Sequence, residues 1–303
     1  MKAAIVVTGQ TGTGKTAHAL ALARQVHGEL LSADARQIYK KLNIVTGKDV
    51  DSAEYHFVTS FDLDGHRTAA IGYYQHKDIR IWGHDLVDPR EIFSSHDFKN
   101  VGRFILTNLL QKNSVPIVVG GSHLYIKDLM TDFDVAVPPD WQLRDALEHN
   151  TVSMLQQKLQ EIDPKAFSAL NPSDQANPRR LIRKIEIAAG GGGRTKKTNA
   201  LGVQKKIGFA FSSPKQCRAI LRKRVGARLK QGAIEEVKKL LAKGYSEDDP
   251  GLRTIGYTQL MAYCRGELSL AEATGKWLNA EVAYAKRQAV FMKKDAQIEW
   301  QLV

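Results

Sequence analysis

The chain has 303 residues, 43% hydrophobic and 25% charged, enough for one large domain or two modest ones with a proper core. Its two cysteines, Cys217 and Cys264, exclude a disulfide scaffold and an all-cysteine zinc site, and they fit a reducing compartment. A formal net charge of +12 points to a polyanionic partner, most commonly nucleic acid, and no stretch approaches the roughly 18 apolar residues of a membrane span. Met1–Thr8 is a short apolar run that enters a glycine loop directly, so it reads as a buried strand and not as a signal peptide. Ala3–Val7 within it predicts a central parallel strand. Thr16–Val26 follows with good helix formers and an apolar face, and Glu29–Ser32 is a second short strand. Tyr55–Asp62 and Arg80–Val87 are strand-like, with turn-rich polar sequence between them. Ser94–Gln111 reads as a helix capped by Ser94 or Ser95, and Val115–Val119 as a buried strand ended by Gly120-Gly121. Strands alternating with helices predict an α/β fold, a doubly wound parallel sheet of the P-loop NTPase kind.

The pattern changes near Asp134. Val135–Pro139 is a proline-bearing linker, and 141–189 is helical in pattern throughout. Gly190–Gly193 and Arg194-Thr-Lys-Lys197 form a low-complexity basic loop. Lys205–Phe211 predicts a returning strand, Pro214–Lys243 a basic helix and Ser269–Lys294 a long C-terminal helix. The expected organisation is therefore a catalytic core over 1–134, a helical insertion over 135–200, and a return to the core with C-terminal helices over 201–303.

Gly9-Gln10-Thr11-Gly12-Thr13-Gly14-Lys15-Thr16 matches the Walker A pattern between a strand and a helix, the setting that gives the motif its meaning. Glycines let backbone N–H groups converge on phosphate oxygens, and the helix N-terminus adds positive potential. Lys15 supplies a point charge, and the Thr16 hydroxyl can ligate Mg²⁺. The motif predicts a diphosphate or triphosphate ligand without saying which. NTPases also place an Asp at the end of a second apolar strand. Here that strand ends in Gly120-Gly121-Ser122, and an acid instead follows the second strand at Asp34. Asp34 would face the phosphate loop across the C-terminal edge of the sheet, where doubly wound folds bind ligands. A carboxylate there suits a general base; the alternatives are an outer ligand of Mg²⁺ or a helix cap.

Together these segments resemble the tRNA dimethylallyltransferases (tRNA isopentenyltransferases). After the phosphate loop come Ser32-Ala-Asp-Ala-Arg-Gln-Ile-Tyr39 and Thr46-Gly-Lys48, then His84-Asp-Leu-Val-Asp88 with Phe93-Ser94. Pro116-Ile-Val-Val-Gly-Gly-Ser-His-Leu-Tyr125 is close to the family's Gly-Gly-Thr-x-Leu-Tyr motif. Asn171-Pro-Ser-Asp174, Asn177-Pro-Arg-Arg-Leu-Ile-Arg183 and Glu186 resemble its helical-domain motif, and Thr254-Ile-Gly-Tyr257 and Tyr284-Ala-Lys-Arg-Gln288 its C-terminal ones.

The resemblance covers nearly the whole chain in order. It implies transfer of a dimethylallyl group from dimethylallyl diphosphate to N6 of the adenosine just 3′ of the anticodon, in tRNAs reading codons that begin with U. It further implies Mg²⁺ at Thr16 and a catalytic set of Asp34, Ser122 and Lys15. The loop residues 9–16 and Arg224 would bind diphosphate, though Arg228, four positions on, is the other candidate. Asp34, Ala35, Arg36 and Gln37 would meet the flipped adenine, and Ser122, where the family has Thr, would touch phosphate or tRNA, the alternative being a turn hydroxyl. Arg144 and Arg179, Arg180, Leu181, Ile182 and Arg183 would touch the anticodon stem-loop. The alternative reading of 179–183 is a solvated basic helix face. A cytoplasmic, monomeric protein is expected.

Some positions depart from the family pattern. Ala35 stands for a usual Ser, 51–82 is longer than the corresponding segment and suggests no mechanism, and 223–236 is shorter by about four residues. No Cys/His finger follows the catalytic region, so the form is similar to the bacterial one. The rival readings are a P-loop kinase of a nucleoside or small metabolite, an adenylate isopentenyltransferase acting on free nucleotide, and a non-catalytic tRNA-binding protein. The basic helical insertion separates the first two from the tRNA enzyme, and the intact Walker pattern opposes the third.

Overall fold

The protein is described here by a computed structural model that covers residues 3–50, 54–131, 137, 139–191 and 201–303. They fall in two compact units, Met1–Met130 with Leu201–Val303, and Thr131–Ala200.

The first unit begins with β1 (Ala4–Gly9), all six residues buried, followed by α1 (Lys15–Val26) and β2 (Gly28–Ser32). β3 (Glu54–Asp62), β4 (Thr68–His76) and β5 (Ile79–Trp82) then run as an antiparallel set. β4 corrects the expected turn-rich stretch: Ala69, Ile71 and Tyr74 are buried, and pairing on both sides makes a strand of a sequence that looks polar on its own. β5 is shorter than the expected strand over 80–87, because Gly83 turns the chain with φ +85°. α2 (Ser95–Gln111) is capped by Ser94, whose hydroxyl accepts from the Asp97 N–H while Asp97 accepts in return from the Ser94 N–H. β6 (Val115–Gly120) and α3 (His123–Met130) close this part.

The second unit holds α4 (Trp141–Glu148), α5 (Val152–Ile162), α6 (Pro164–Ser168), α7 (Pro172–Gln175) and α8 (Pro178–Ala189). Each opens on a side-chain cap from Asp140, Thr151, Asp163, Asn171 or Asn177, and Leu147, Leu155, Leu159, Leu181 and Ile185 form its core. Most of the expected linker and basic loop lies outside the described residues.

The first unit resumes with β7 (Val203–Ala210), α9 (Pro214–Lys230), α10 (Ala233–Ala242), α11 (Tyr257–Cys264), α12 (Leu270–Met292) and β8 (Ile298–Leu302). The basic helix expected over 214–243 is two helices, broken at Gly232 with φ +98°. The sheet order is β3-β4-β5-β2-β6-β1-β7-β8, and β5 through β8 are parallel in that order. Alternate residues bury opposite faces. Ile5, Val7, Leu30, Ile117 and Ile207 pack with Ala19 and Ala23 of α1, while Val6, Leu31 and Val118 pack with α2, α3 and the C-terminal helices. No described helix is long and apolar enough to cross a membrane.

Candidate active site

The C-terminal ends of β1, β2 and β6 meet at one edge of the sheet. The phosphate loop leaves β1 there at Gly9, where a Cβ would stand 2.4 Å from the Phe209 carbonyl oxygen of β7. Only glycine permits that approach. Two loop side chains and one loop amide are spent inside the protein. Gln10 donates to the Ala285 carbonyl at 3.0 Å and accepts from the Phe211 N–H at 3.0 Å. The Thr13 hydroxyl donates to the Gln10 carbonyl at 2.8 Å, and the Thr11 N–H donates to Gln288 Oε1 at 2.8 Å. What remains for a ligand is Lys15, Thr16 at the start of α1, and the unpaired N–H groups of the first helical turn.

Lys15 Nζ donates to the Gln10 carbonyl at 3.3 Å. Burial brings its pKa down to about 8; Asp34 pulls upward and Arg224 downward. Arg224 packs on the loop: a Cβ on Gly12 would lie 3.1 Å from its Cδ. Arg228, one turn on, is buried and donates to Glu281 Oε1 at 3.3 Å, and Trp277 Nε1 donates to the same oxygen at 3.2 Å. Of the two arginines, Arg224 is therefore the one placed against the phosphate loop.

Asp34 follows β2, half-buried, and its Oδ1 accepts from the Arg36 N–H at 2.9 Å. That local turn aims the carboxylate without using a second side chain. Ser122 follows β6, and its hydroxyl accepts from the Ala35 N–H at 2.9 Å. Ser122 also interacts with the Tyr284 phenol of α12, whose pKa is pushed up to about 12 by burial and then by Asp34. Arg36 is exposed. Gln37 is engaged on both ends of its amide: Ser32 Oγ donates to Oε1 at 3.2 Å, and Nε2 donates to the Gly47 carbonyl at 2.9 Å. The 43–47 turn is pinned from the far side by Glu236, which accepts from the N–H groups of Asn43, Ile44 and Val45 at 2.9, 2.7 and 3.1 Å. The Tyr257 hydroxyl holds Glu236 at 2.5 Å, which gives the Thr254–Tyr257 motif its physical role.

Gln288 closes the Tyr284–Gln288 motif, but the sequence gave it no role. Its Nε2 donates to the Gly121 carbonyl at 2.9 Å while its Oε1 takes the Thr11 N–H, so one amide ties the phosphate loop to the turn that carries Ser122. The available signal was positional. Glu281 and Gln288 lie seven apart on the buried face of α12, among Trp277, Leu278, Ala285 and Met292, where a polar residue needs a partner.

In the helical unit, Glu186 is 1% exposed and accepts from Arg144 Nε and a terminal guanidinium nitrogen, both at 2.9 Å, as well as from Arg183. Burial opposes the charge, but these bonds outweigh it and hold the carboxyl below its usual range. Arg144 and Arg183 thus brace one buried acid. Leu181 is fully buried in the unit's core, so its side chain packs rather than faces a ligand, and Ile182 is half-buried. Arg180 pairs with Asp174, and Arg179 is exposed.

No described group of three or more His, Cys, Asp or Glu residues could hold a metal ion. The donors available are the Thr16 hydroxyl and the Asp34 carboxylate. That set fits a cation such as Mg²⁺, which takes few protein ligands and relies on phosphate oxygens and water.

The IPP transferase family matches residues 67–295, and the isopentenyl transferase family residues 2–79. A tRNA dimethylallyltransferase of Acetivibrio thermocellus is 31% identical, over 98% of this chain and 90% of that protein. One of Alkaliphilus oremlandii is 30% identical, over 99% and 91%. The crystal structure of a full-length tRNA isopentenylpyrophosphate transferase from Bacillus halodurans superposes with a TM-score of 0.67 at 27% identity, covering 100% of this chain and 90% of that one. A eukaryotic dimethylallyltransferase acting on tRNA shares the fold, with a TM-score of 0.77 at 22% identity over 100% and 74%. With its phosphate loop, its Asp34 and nearly full-length matches of this kind, the chain belongs to the IPP transferase family, among the tRNA dimethylallyltransferases.

Proposed function

We propose that the chain transfers a dimethylallyl group from dimethylallyl diphosphate to N6 of the adenosine 3′ of the anticodon, in tRNAs reading codons that begin with U, and releases diphosphate. One observation carries the reading: the phosphate loop and the Asp34 carboxylate share one sheet edge, close enough for Asp34 to raise the Lys15 pKa.

Lys15, Arg224 and the first-turn amides of α1 hold the diphosphate, whose charge grows as the C–O bond breaks. Mg²⁺ bound through Thr16 would offset part of that charge. The exocyclic amine is a weak nucleophile in the plane of its base, so attack leaves a proton to remove, and Asp34 accepts it. Ser122 supports this position by holding the Ala35 N–H beside Asp34. The adenosine enters by flipping out of its loop. The 135–200 unit, with Arg179 exposed on α8, meets the anticodon stem-loop.

The test supplies dimethylallyl diphosphate and Mg²⁺ with tRNA or with AMP, followed by analysis of digested nucleosides. Prenylated adenosine from tRNA alone is expected. Prenylation of AMP but not tRNA would move the acceptor to free nucleotide, and phosphate transfer from ATP without prenyl transfer would sink the reading.

A further inference from the structure

The 54–82 segment forms β3, β4 and β5 at one end of the sheet, and one of its side chains reaches the acceptor side of the site. Tyr74 of β4 is 9% exposed, and its hydroxyl donates to Asp85 Oδ2. The other Asp85 oxygen pairs with the buried ammonium of Lys48. Lys48 also donates to the Tyr39 carbonyl at 2.6 Å and to Asn43 Oδ1 at 3.0 Å. These contacts end on Gln37. The Asp85 N–H donates to the Gln37 carbonyl at 3.4 Å, and Gln37 in turn holds Gly47. Tyr55 packs beside Tyr74, with ring centroids 5.1 Å apart, and Gly72 makes the room, since a Cβ there would lie 2.5 Å from the Tyr55 hydroxyl.

A buried ion pair is a poor adhesive, because desolvation cancels most of its attraction, and apolar side chains would hold a hairpin at least as well. What a fully bonded polar cluster does supply is one defined position for the groups it touches. Here those groups are the 43–48 turn and the backbone of Gln37, three residues from Asp34. Hydrogen bonds that orient a reacting group from outside are worth a sizeable part of its rate.

We propose that Tyr74 is a positioning residue for the acceptor adenosine: through Asp85 and Lys48 it fixes the 43–48 turn, and with it Gln37 and the Asp34 carboxylate. The inference rests on the tRNA-prenylating reading, and the experiment separates the two. Tyr74→Phe in the full chain keeps the ring and removes one hydroxyl. It lowers kcat/KM for tRNA by about tenfold, the scale of one bond to a buried charge. The Kd for dimethylallyl diphosphate stays within about twofold, as expected for an independent site. Combined with Gln37→Ala, its effect is less than multiplicative, because both changes release the same turn. Multiplicative losses, or diphosphate affinity falling in parallel with turnover, would overturn the positioning role. Should Tyr74→Phe not fold, Asn43→Ala cuts the Lys48 contact from the turn side and carries the same expectations. If the unaltered chain prenylates no tRNA, the underlying reading fails instead.

Discussion

The two sides of the proposed site are built in different ways. The phosphate side is one continuous run of eight residues, Gly9–Thr16, whose ligand-facing groups are mostly backbone and a helix terminus. The acceptor side is assembled from afar. Asp34 stands on a short local turn, but its neighbours are held by Ser122, by Glu236 and by the 43–48 turn, at separations of 87 residues for the Ala35–Ser122 bond and 193 for the Asn43–Glu236 bond. A cradle made of amides needs only the right glycines and one lysine in the right order. A carboxylate that must meet one amine needs its surroundings fixed by side chains, and those come from wherever the fold delivers them.

The contrast predicts that the two sides fail separately. Asp34→Asn keeps the turn, since its amide oxygen still accepts from the Arg36 N–H, but it removes the base. Turnover should fall by about 10² to 10⁴, the usual range for a positioned general base, with dimethylallyl diphosphate affinity nearly unchanged. Single-turnover prenylation and equilibrium binding measured on the same preparation check this, and equal losses in both would assign Asp34 a metal or structural role. Gln288→Leu should break the separation. It strips the partner from the Thr11 N–H and from the Gly121 carbonyl, one on each side of the site. Leaving buried polar groups unpaired costs about 1–3 kcal/mol each, so diphosphate affinity and turnover should fall together, by roughly 10-fold to 100-fold. A loss confined to one side would show that the two are not tied through α12.

How legible each side was follows from the same difference. The loop, Asp34 and Ser122 could be read locally, because a strand ending in a glycine run or an acid is a pattern within a dozen residues. The second-strand acid and the Gly-Gly-Ser turn took on meaning beside the loop through the family resemblance. Gln288 and Glu281 could not be read that way, because a polar residue on a helix declares a role only once the burial of that face is known. β4 was missed because Gly72-Tyr73 interrupts its alternation, and only its two neighbours make it a strand. The family resemblance gave Arg144 and Arg183 as tRNA contacts and said nothing of a protein partner for either. Their common partner Glu186 lies three residues beyond Arg183, but 42 residues of helical packing separate it from Arg144.

The smallest effect probes the one place where the sides touch electrostatically. With a pKa of about 8, Lys15 is mostly charged at pH 7 and mostly neutral at pH 9 in the unliganded chain. Burial favours the neutral amine, and the diphosphate favours the cation. Affinity for dimethylallyl diphosphate should therefore weaken as pH rises through 8. The charged fraction drops roughly tenfold between pH 7 and 9, and Kd should rise by about that factor. Titration calorimetry across that range supplies the curve, and Lys15→Met should bind weakly and flatten it. The neighbours then set its midpoint. Arg224 depresses the Lys15 pKa and Asp34 raises it, so Arg224→Met should move the midpoint up and Asp34→Asn should move it down. Midpoints that ignore Asp34 while following Arg224 would mean that the carboxylate lies too far from the phosphate loop to take a proton from an amine attacking the bound donor.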